Sequence, residues 1–419
     1  FSRFKDPMPV PLSLVGVPAA WVGLDWLRSW FLGGFPWMDF GYGLWSVPEA
    51  LQTADLFGHH VLTFMIVLVN LVIYISVGRR FSGLQKIISA GVLVILLSGG
   101  LLYSRSRWTE VAQRVDNAAA AQIGIVQGNI EQVKKWSPEE RLKTVESYLE
   151  LSGSLVAGEK KPDLLVWPET ALPFYPRGNE LLRPISSFLR QSAVTLLTGA
   201  PWYEVVDWEK RLFSYYNGAF MFSGLGVPGD SYFKSHLVPY GEYVPLKKYM
   251  PFLAPLVEAA GDFTPGIVGT PLAAGPARAG VLICYESIFA DIGRRWVENG
   301  ANLLVNLTND AWYGKSSAPY QSWAMTVLRA VETRRSLVRS ANTGISGIID
   351  PLGRVQSRSE LFVTWAETVS VPLMAGKTHY VSRGFLFAPV CAAVGFLLCI
   401  GAHVMDQRRK KWYRDAWFR

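Results

Sequence analysis

The chain has 419 residues, of which 50% are hydrophobic and only 18% charged, against about 25% charged in ordinary soluble domains. That balance excludes a disordered chain and argues against one soluble throughout, and at roughly 150 residues per domain the length points to two or three domains. The net charge of +8, from 41 Lys and Arg against 33 Asp and Glu, raises a nucleic-acid partner as a question that the placement of the charge must answer. Three cysteines are too few for a disulfide framework.

In chain order, Phe1 stands where a Met would begin a full chain, so the true N-terminus is expected to be missing. Residues 8–27 are apolar but interrupted by Asp25, and Trp21, Trp26, Trp30 and Trp37 resemble an interfacial aromatic belt. Residues 61–77, 87–103 and 384–404 are uncharged and approach the ~20 residues that a membrane-spanning helix needs. Arg79, Arg80 and Lys86 lie between the second and third spans, and Arg408, Arg409, Lys410, Lys411 and Arg414 follow the last. The positive-inside rule puts both groups in the cytoplasm, and Arg3 and Lys5, two crossings earlier, agree. The basic residues therefore read as topology signals and not as a nucleic-acid surface. The expected organisation is a membrane region at 1–104 with about three spans, a domain at 105–383 on the side opposite the cytoplasm, a last span at 384–404 and a cytoplasmic tail at 405–419.

Between the third and fourth spans, short apolar runs alternate with helical periodicity. Residues 123–126, 164–167, 195–198, 281–284 and 303–307 are strand-like. Ser137, Pro138 and Glu140 have the spacing of a capping box, and Leu142, Val145 and Leu149 continue that helix on one face. Further helices are expected after Asn179, with Leu182, Ile185 and Leu189 inward, over about 287–299 and over 318–333. Strand-like runs at 214–222, 231–236, 344–349 and 363–371 lack an intervening helix, so an α/β domain with a mixed sheet is expected.

In such folds reactive groups collect beyond the carboxyl ends of strands. Glu169 follows the run at 164–167, Cys284 ends the run at 281–284 and is followed by Tyr285 and Glu286, and Asn306, Asn309, Asp310 and Trp312 cluster at the end of 303–307. Cys284 is the cysteine outside the spans, since Cys391 and Cys399 fall in the last one. A nucleophilic thiol needs a base and a positive group, which Glu169 and Lys234 can supply. Each residue taken alone is more commonly structural: a buried thiol, a capping carboxylate, a surface lysine.

Glu, Lys and Cys in this order and context resemble the nitrilase superfamily of carbon-nitrogen hydrolases. The strings QGNIEQVKKW (127–136), WPETALP (167–173), KSHLVPYGEYVPL (234–246), ICYESIF (283–289), NLTNDAWYG (306–314) and RSANTGISGIIDPLGR (339–354) resemble more closely its membrane branch, the apolipoprotein N-acyltransferases. GGFPWMDFGYG (33–43) is similar to that branch too. The resemblance implies a nitrilase-like αββα sandwich inserted between transmembrane helices, with more spans before it than are counted here. It also implies ping-pong acyl transfer from a glycerophospholipid through a Cys284 thioester to the α-amine of a diacylglyceryl-modified apolipoprotein. Glu169 would be the base, and Lys234 with the Tyr285 backbone N–H would face the oxyanion. Glu242 would orient Lys234, and Tyr285 and Glu286 would shape the site. Trp136 and Asn217 match lid or substrate-contact positions, and the run 249–255 with Trp312 and Tyr313 is expected to meet acyl chains. No cofactor or metal is implied, and a monomer in a bacterial inner membrane is expected. The alternative of the same chemistry is a membrane-anchored amidase that hands its acyl group to water. A catalytically dead scaffold is disfavoured by the three residues in context, and a transporter by spans nearly free of ionisable groups.

Overall fold

The computed structural model describes residues 9–132, 135–225, 228–244 and 262–417. The run 249–255 lies outside the described residues, as do Arg3, Lys5 and the side chains of the tail beyond Arg408. The chain forms two compact units, Phe1–Trp108 with Arg383–Arg419, and Thr109–Ser382.

In the first unit, α1 (Val10–Arg28), α2 (Ala54–Phe57), α3 (His59–Val77), α4 (Gly83–Asp116) and a C-terminal helix, Phe387–Trp417, follow the apolar stretches. Val10–Arg28, His59–Val77, Gly83–Asp116 and Gly384–Met405 are each long and apolar enough to cross a membrane. α4 does not stop where its apolar stretch ends at Tyr103, because Arg105, Arg107, Glu110, Ala112, Gln113 and Arg114 are all good helix formers with no Gly or Pro among them. Val10 and Leu14 of α1 pack against Leu68, Val72 and Ile75 of α3. Small residues bring α1 close to the C-terminal helix: a Cβ on Gly23 would lie 2.6 Å from Ala392 Cα, and one on Gly395 would lie 2.8 Å from Ala20 Cα. Leu84, Ile87, Ile95 and Leu102 on α4 and Phe396 and Leu397 further on are exposed, the pattern of a helix apolar all round that suits lipid. The charges here are paired. Asp55 accepts from Tyr103 Oη at 2.7 Å and Arg107 Nε at 2.6 Å, Asp39 takes His59 Nε2 at 3.0 Å and Arg28, and Asp25 takes Arg28 at 3.3 Å.

The second unit is the expected αββα sandwich. One sheet has the order β12-β1-β2-β3-β4-β5, from β1 (Ala120–Gln127), β2 (Leu164–Val166), β3 (Thr195–Asp207), β4 (Leu212–Phe222), β5 (Pro228–Phe233) and β12 (Trp365–Pro372). The other has the order β11-β10-β9-β8-β7-β6, from β6 (Leu272–Ala274), β7 (Ala277–Ile283), β8 (Leu303–Thr308), β9 (Ser336–Ala341), β10 (Gly347–Ile349) and β11 (Val355–Arg358). In each sheet the inner strands β1, β2, β3 or β7, β8, β9 run parallel and the flanking strands antiparallel. Helical crossovers join the parallel strands, and the buried β8 and β9 carry unbroken apolar or paired polar runs, as strands covered on both faces do. The sheets meet face to face, where Ser340 Oγ on β9 donates to Val126 O at 3.1 Å and Val166 O at 3.2 Å.

α5 (Pro138–Val156) and α6 (Leu182–Ser192) cover the first sheet, with Val145, Tyr148, Ile185 and Leu189 packed on Val126, Leu165, Trp167 and Leu196. α7 (Ala290–Glu298) and α8 (Ala318–Thr333) cover the second, and Trp296 of α7 donates its indole N–H to Val281 O at 2.7 Å. A short α9 (His379–Ser382) ends the unit, and the C-terminal helix is α10.

Three local expectations need correction. Ser137 starts α5 without a side-chain cap bond, since the Glu140 carboxylate turns to Lys143 at 2.8 Å. Leu142 on that helix is exposed, and Tyr148 takes the inward place instead. The single helix expected over 287–299 is a 3-10 turn, Cys284–Ile288, followed by α7, because Phe289 between them is extended (φ −89°, ψ 104°).

One glycine sets how the turn after β2 sits on the sheet. A Cβ on Gly199 of β3 would lie 2.5 Å from Thr170 N and 2.7 Å from Glu169 Cα, backbone that has nowhere to go. Gly199→Ala is expected to lower stability by about 1–3 kcal/mol through overpacking, read as a fall in the thermal unfolding midpoint of the detergent-solubilised protein. An unchanged midpoint would show that the turn yields freely.

Candidate active site

Three strand ends meet at the site. Glu169 follows β2 in the turn Trp167-Pro168-Glu169-Thr170, where Gly199 N–H donates to Pro168 O at 3.1 Å and Thr170 takes a left-handed φ of 51°. Lys234 follows β5, its backbone N–H on Asn217 O at 2.9 Å and its carbonyl taking Gly266 N–H at 2.8 Å. Cys284 follows β7 at the first position of the 3-10 turn, with φ 52°. A left-handed non-glycine residue costs on the order of 1 kcal/mol or more and persists when its surroundings fix it. They do so here: Ser287 Oγ donates to Cys284 O at 3.1 Å, and Asn306 Nδ2 on β8 donates to Leu282 O at 2.9 Å and Cys284 O at 3.4 Å.

Glu286, two residues beyond the thiol, ties this turn to the lysine. Its Oε2 accepts Ile283 N–H at 2.8 Å, while Oε1 accepts Ser235 N–H at 2.7 Å, Ser235 Oγ at 2.8 Å, His236 N–H at 3.0 Å and Tyr232 Oη at 2.7 Å. Five donors from two segments converge on one fully buried carboxylate, so the residues on either side of Lys234 are fixed against the backbone that precedes Cys284.

The second carboxylate arrangement is a bridge. Asn217 Nδ2 on β4 donates to Glu169 Oε1 at 2.8 Å and to Glu242 Oε1 at 3.0 Å. Lys234 Nζ contacts Glu242 Oε1 at 2.9 Å and Oε2 at 2.8 Å, and Val238 N–H donates to Glu242 Oε2 at 2.8 Å. Glu242 is thus the direct ion-pair partner of Lys234. Asn217 holds the two glutamates apart at a fixed spacing, a place that its run of aromatic neighbours on β4 gave no means to foresee.

Sequence reasoning also missed the support behind the thiol. Thr308 hydrogen-bonds Cys284 and, through Oγ1, Asp310 Oδ1 at 2.9 Å. Asp310 Oδ2 in turn takes Arg339 Nη2 at 2.9 Å, and Arg339 Nη1 reaches Asn306 Oδ1 at 2.8 Å. The string around Asn306 and Asp310 marked the place, but the cation that completes it lies on β9, one strand away.

The electrostatics follow from burial. Burial pushes the Cys284 thiol up to about 12, with Glu169 adding to the rise and Lys234 opposing it. Burial raises the Glu169 carboxyl above the usual range; Lys234 is the strongest opposing charge, Glu242 adds to the rise, and Asn217 and Lys135 oppose it. Burial works against the Lys234 ammonium, but Glu242, Cys284 and Glu169 outweigh it and hold the lysine above its ordinary value. Burial thus keeps the thiol protonated at neutral pH and raises the basicity of the glutamate beside it, next to a lysine held as a cation.

Of the remaining expected residues, Tyr313 lies close enough for Cys284 and Asp310 to act on its phenol, which burial raises first. Tyr285 is buried with its ring 5.1 Å from Phe289. Trp136 and Trp312 are exposed, Trp312 at 76%. Among the described residues, the Asp39, His59 and His60 ligand atoms lie within 4.8 Å of one another in the first unit, where Asp39 is already engaged by Arg28 and His59.

Replacing Glu286 by Gln keeps its shape but turns one acceptor into a donor facing backbone N–H groups. Glu286→Gln is expected to destabilise the protein by roughly 2–4 kcal/mol, seen as a lower unfolding midpoint, together with loss of activity. A variant of parental stability would show that the five contacts do not hold the two segments together.

Residues 118–374 match the carbon-nitrogen hydrolase family, and residues 1–72 match the apolipoprotein N-acyltransferase N-terminal domain. A protein of Geobacter metallireducens named apolipoprotein N-acyltransferase is 39% identical over 388 residues, which cover 91% of this chain and 72% of that protein. One of the same name from Methylococcus capsulatus is 36% identical over 389 residues, covering 89% and 70%. Among solved structures, an amidase from Nesterenkonia sp. is similar at 18% identity and a TM-score of 0.47, over 64% of this chain and 94% of the amidase. The chain belongs to the apolipoprotein N-acyltransferase family, a membrane branch of the carbon-nitrogen hydrolases.

Proposed function

We propose that this protein transfers an acyl chain from a glycerophospholipid to the α-amine of the diacylglyceryl-cysteine that begins an apolipoprotein. The observation that carries the reading is the gathering of Cys284, Glu169 and Lys234, each acting on the charge of the others, in a chain whose other unit has helices fit to span a membrane. The names of the relatives support the substrate class.

In the first half-reaction Glu169 takes the Cys284 proton as Sγ attacks the ester carbonyl. The oxyanion that forms faces the Lys234 ammonium and the Tyr285 backbone N–H, donors of a kind whose loss typically costs about 100- to 1000-fold in rate. As the tetrahedral intermediate collapses, the glycerol oxygen leaves with the proton from Glu169, giving a lysophospholipid and a thioester. In the second half-reaction the acceptor amine attacks the thioester, Glu169 takes an amine proton, and Cys284 leaves as a thiol once the proton is passed on. An amide is more stable than a thioester, so the transfer runs downhill. Water is the competing acceptor, and the burial of Glu169 and Lys234 supports a site that admits little of it.

Glu242 orients Lys234 in this reading, Glu286 fixes the loop around it, and Asn217 sets the spacing of the carboxylates. Trp136, Trp312 and Tyr313 are assigned to substrate contact. The protein works as a monomer in the bacterial inner membrane, with the catalytic unit in the periplasm and the basic tail in the cytoplasm.

Mass spectrometry of the purified protein after exposure to phospholipid is expected to find an acyl adduct on Cys284. Cys284→Ala should form none, and Glu169→Gln and Lys234→Met should form it at least 100-fold more slowly. An adduct on the Ala variant would rule out the nucleophile. With a diacylated lipopeptide added, an amide product supports transfer and a free fatty acid supports the hydrolase alternative. Reporters fused after residues 83 and 410 should both report the cytoplasm; a periplasmic signal at either would reverse the orientation.

A further inference from the structure

The loop after β1 carries a charge that the mechanism above leaves unused. Its path is set by the second sheet. Asn129 N–H donates to Asn342 O at 2.9 Å, Ile130 N–H donates to Asn342 Oδ1 at 2.9 Å, and Asn342 Nδ2 donates to Ile130 O at 2.8 Å. Asn309, just past β8, donates through Nδ2 to Gln132 Oε1 at 2.5 Å. The loop then delivers Lys135, fully buried, with no hydrogen-bond partner for its Nζ among the described residues. Its neighbour Trp136 is exposed.

Burying an ammonium without a partner costs on the order of several kcal/mol, and a methionine of similar length would avoid that cost. An anion nearby is the physical reason to keep the charge. β1 and β2 are parallel neighbours, so the loop that carries Lys135 and the turn that carries Glu169 leave the sheet at the same end, and among the described residues Glu169 is the charged group that acts on Lys135. Lys234 acts on Glu169 more strongly than Lys135 does, but its direct contacts go elsewhere. Lys234 is committed to both oxygens of Glu242, and the hydrogen-bond partner of Glu169 is the neutral amide of Asn217. Two carboxylates stand side by side, and the two cations divide between them.

We propose that Lys135 is a positioning residue for the acyl transfer: a second buried cation that serves as the counter-charge of Glu169 and keeps it a carboxylate while Lys234 is held by Glu242. This rests on the reading of Glu169 as the base. The same charge acts after Glu169 has taken the thiol proton, since a neutral carboxyl leaves Lys135 without a partner and favours passing the proton to the departing glycerol oxygen. Among the described residues, the groups that face Glu169 are Lys234, Glu242, the Asn217 amide, Lys135, the Cys284 thiol and the Tyr313 phenol. Burial pulls the Lys135 ammonium down to about 8 against the pull of Glu169, so the cation is present at neutral pH and is lost as the pH rises through that value.

The sign of the test follows. A cation beside a carboxyl favours its ionised form, so removing the cation moves Glu169 toward protonation and shifts the acidic limb of the rate to higher pH. The experiment uses the full chain in detergent with phosphatidylethanolamine micelles and follows the Cys284 adduct in a single turnover from about pH 5 to pH 9. Lys135→Met and Lys135→Gln are both expected to move the acidic limb up by about one pH unit, with Lys135→Arg close to the parent. A limb at the parental pH in both neutral variants overturns the proposal, whatever their overall rates. Glu169→Gln separates the two failures: if it forms the adduct at near-parental rate, the base assignment falls and this inference with it. An inactive Glu169→Gln beside an unmoved limb in the Lys135 variants removes Lys135 alone.

Discussion

The geometry of the site depends on one buried carboxylate that takes no part in the proposed chemistry. Glu286 gathers the backbone N–H groups of Ile283, Ser235 and His236 and the hydroxyls of Ser235 and Tyr232. Those donors belong to the end of β7 and to the segment after β5. Cys284 and Lys234, carried on different sheets, are thereby fixed without a direct bond between them. The arrangement works because a carboxylate has acceptor sites for several donors at once, and because burial leaves those donors no water to turn to.

Around that tie the charges are distributed so that each has a partner of the opposite sign. Glu242 holds Lys234, Arg339 holds Asp310, and in our reading Lys135 answers Glu169. Cys284 is the group left without ionisation at rest, since burial outweighs the lysine beside it. In the proposed mechanism proton transfer and attack therefore coincide, in place of a stored free thiolate. The strained φ at Cys284 fits the same economy: the turn is over-determined by Ser287 and Asn306, and it keeps the thiol at the very end of β7. The unit with the apolar helices is organised by other means, close helix approach at Gly23 and Gly395 and paired polar groups such as Asp55 with Arg107.

Much of this was legible in one dimension. Apolar length and the absence of charge marked the spans, and short β-rich runs ending in Glu169, Cys284 and Asn306 marked strands with chemistry at their ends. The capping pattern at Ser137 misled, because a local motif competes with Lys143 for Glu140, and spacing alone does not say which contact wins. The helix expected after Ser287 was split because Phe289 leaves the helical region, a choice made by packing around the thiol turn and not by intrinsic propensity. The family resemblance puts Asn217 among lid or substrate contacts, and the folded sheet has it donating to two glutamates.

By itself the sequence determined the apolar stretches, the alternation of strands and helices and the candidate reactive groups, because these depend on local composition and on the strings in which those residues stand. The tertiary structure alone decided the contacts that the resemblance did not supply. Asp310 to Arg339, and Asn217 to Glu169 and Glu242, join stretches of chain 25 or more residues apart. Such pairings arise from how two sheets stack and which side chains lose water together, and desolvation is a property of the folded interior that no linear spacing encodes.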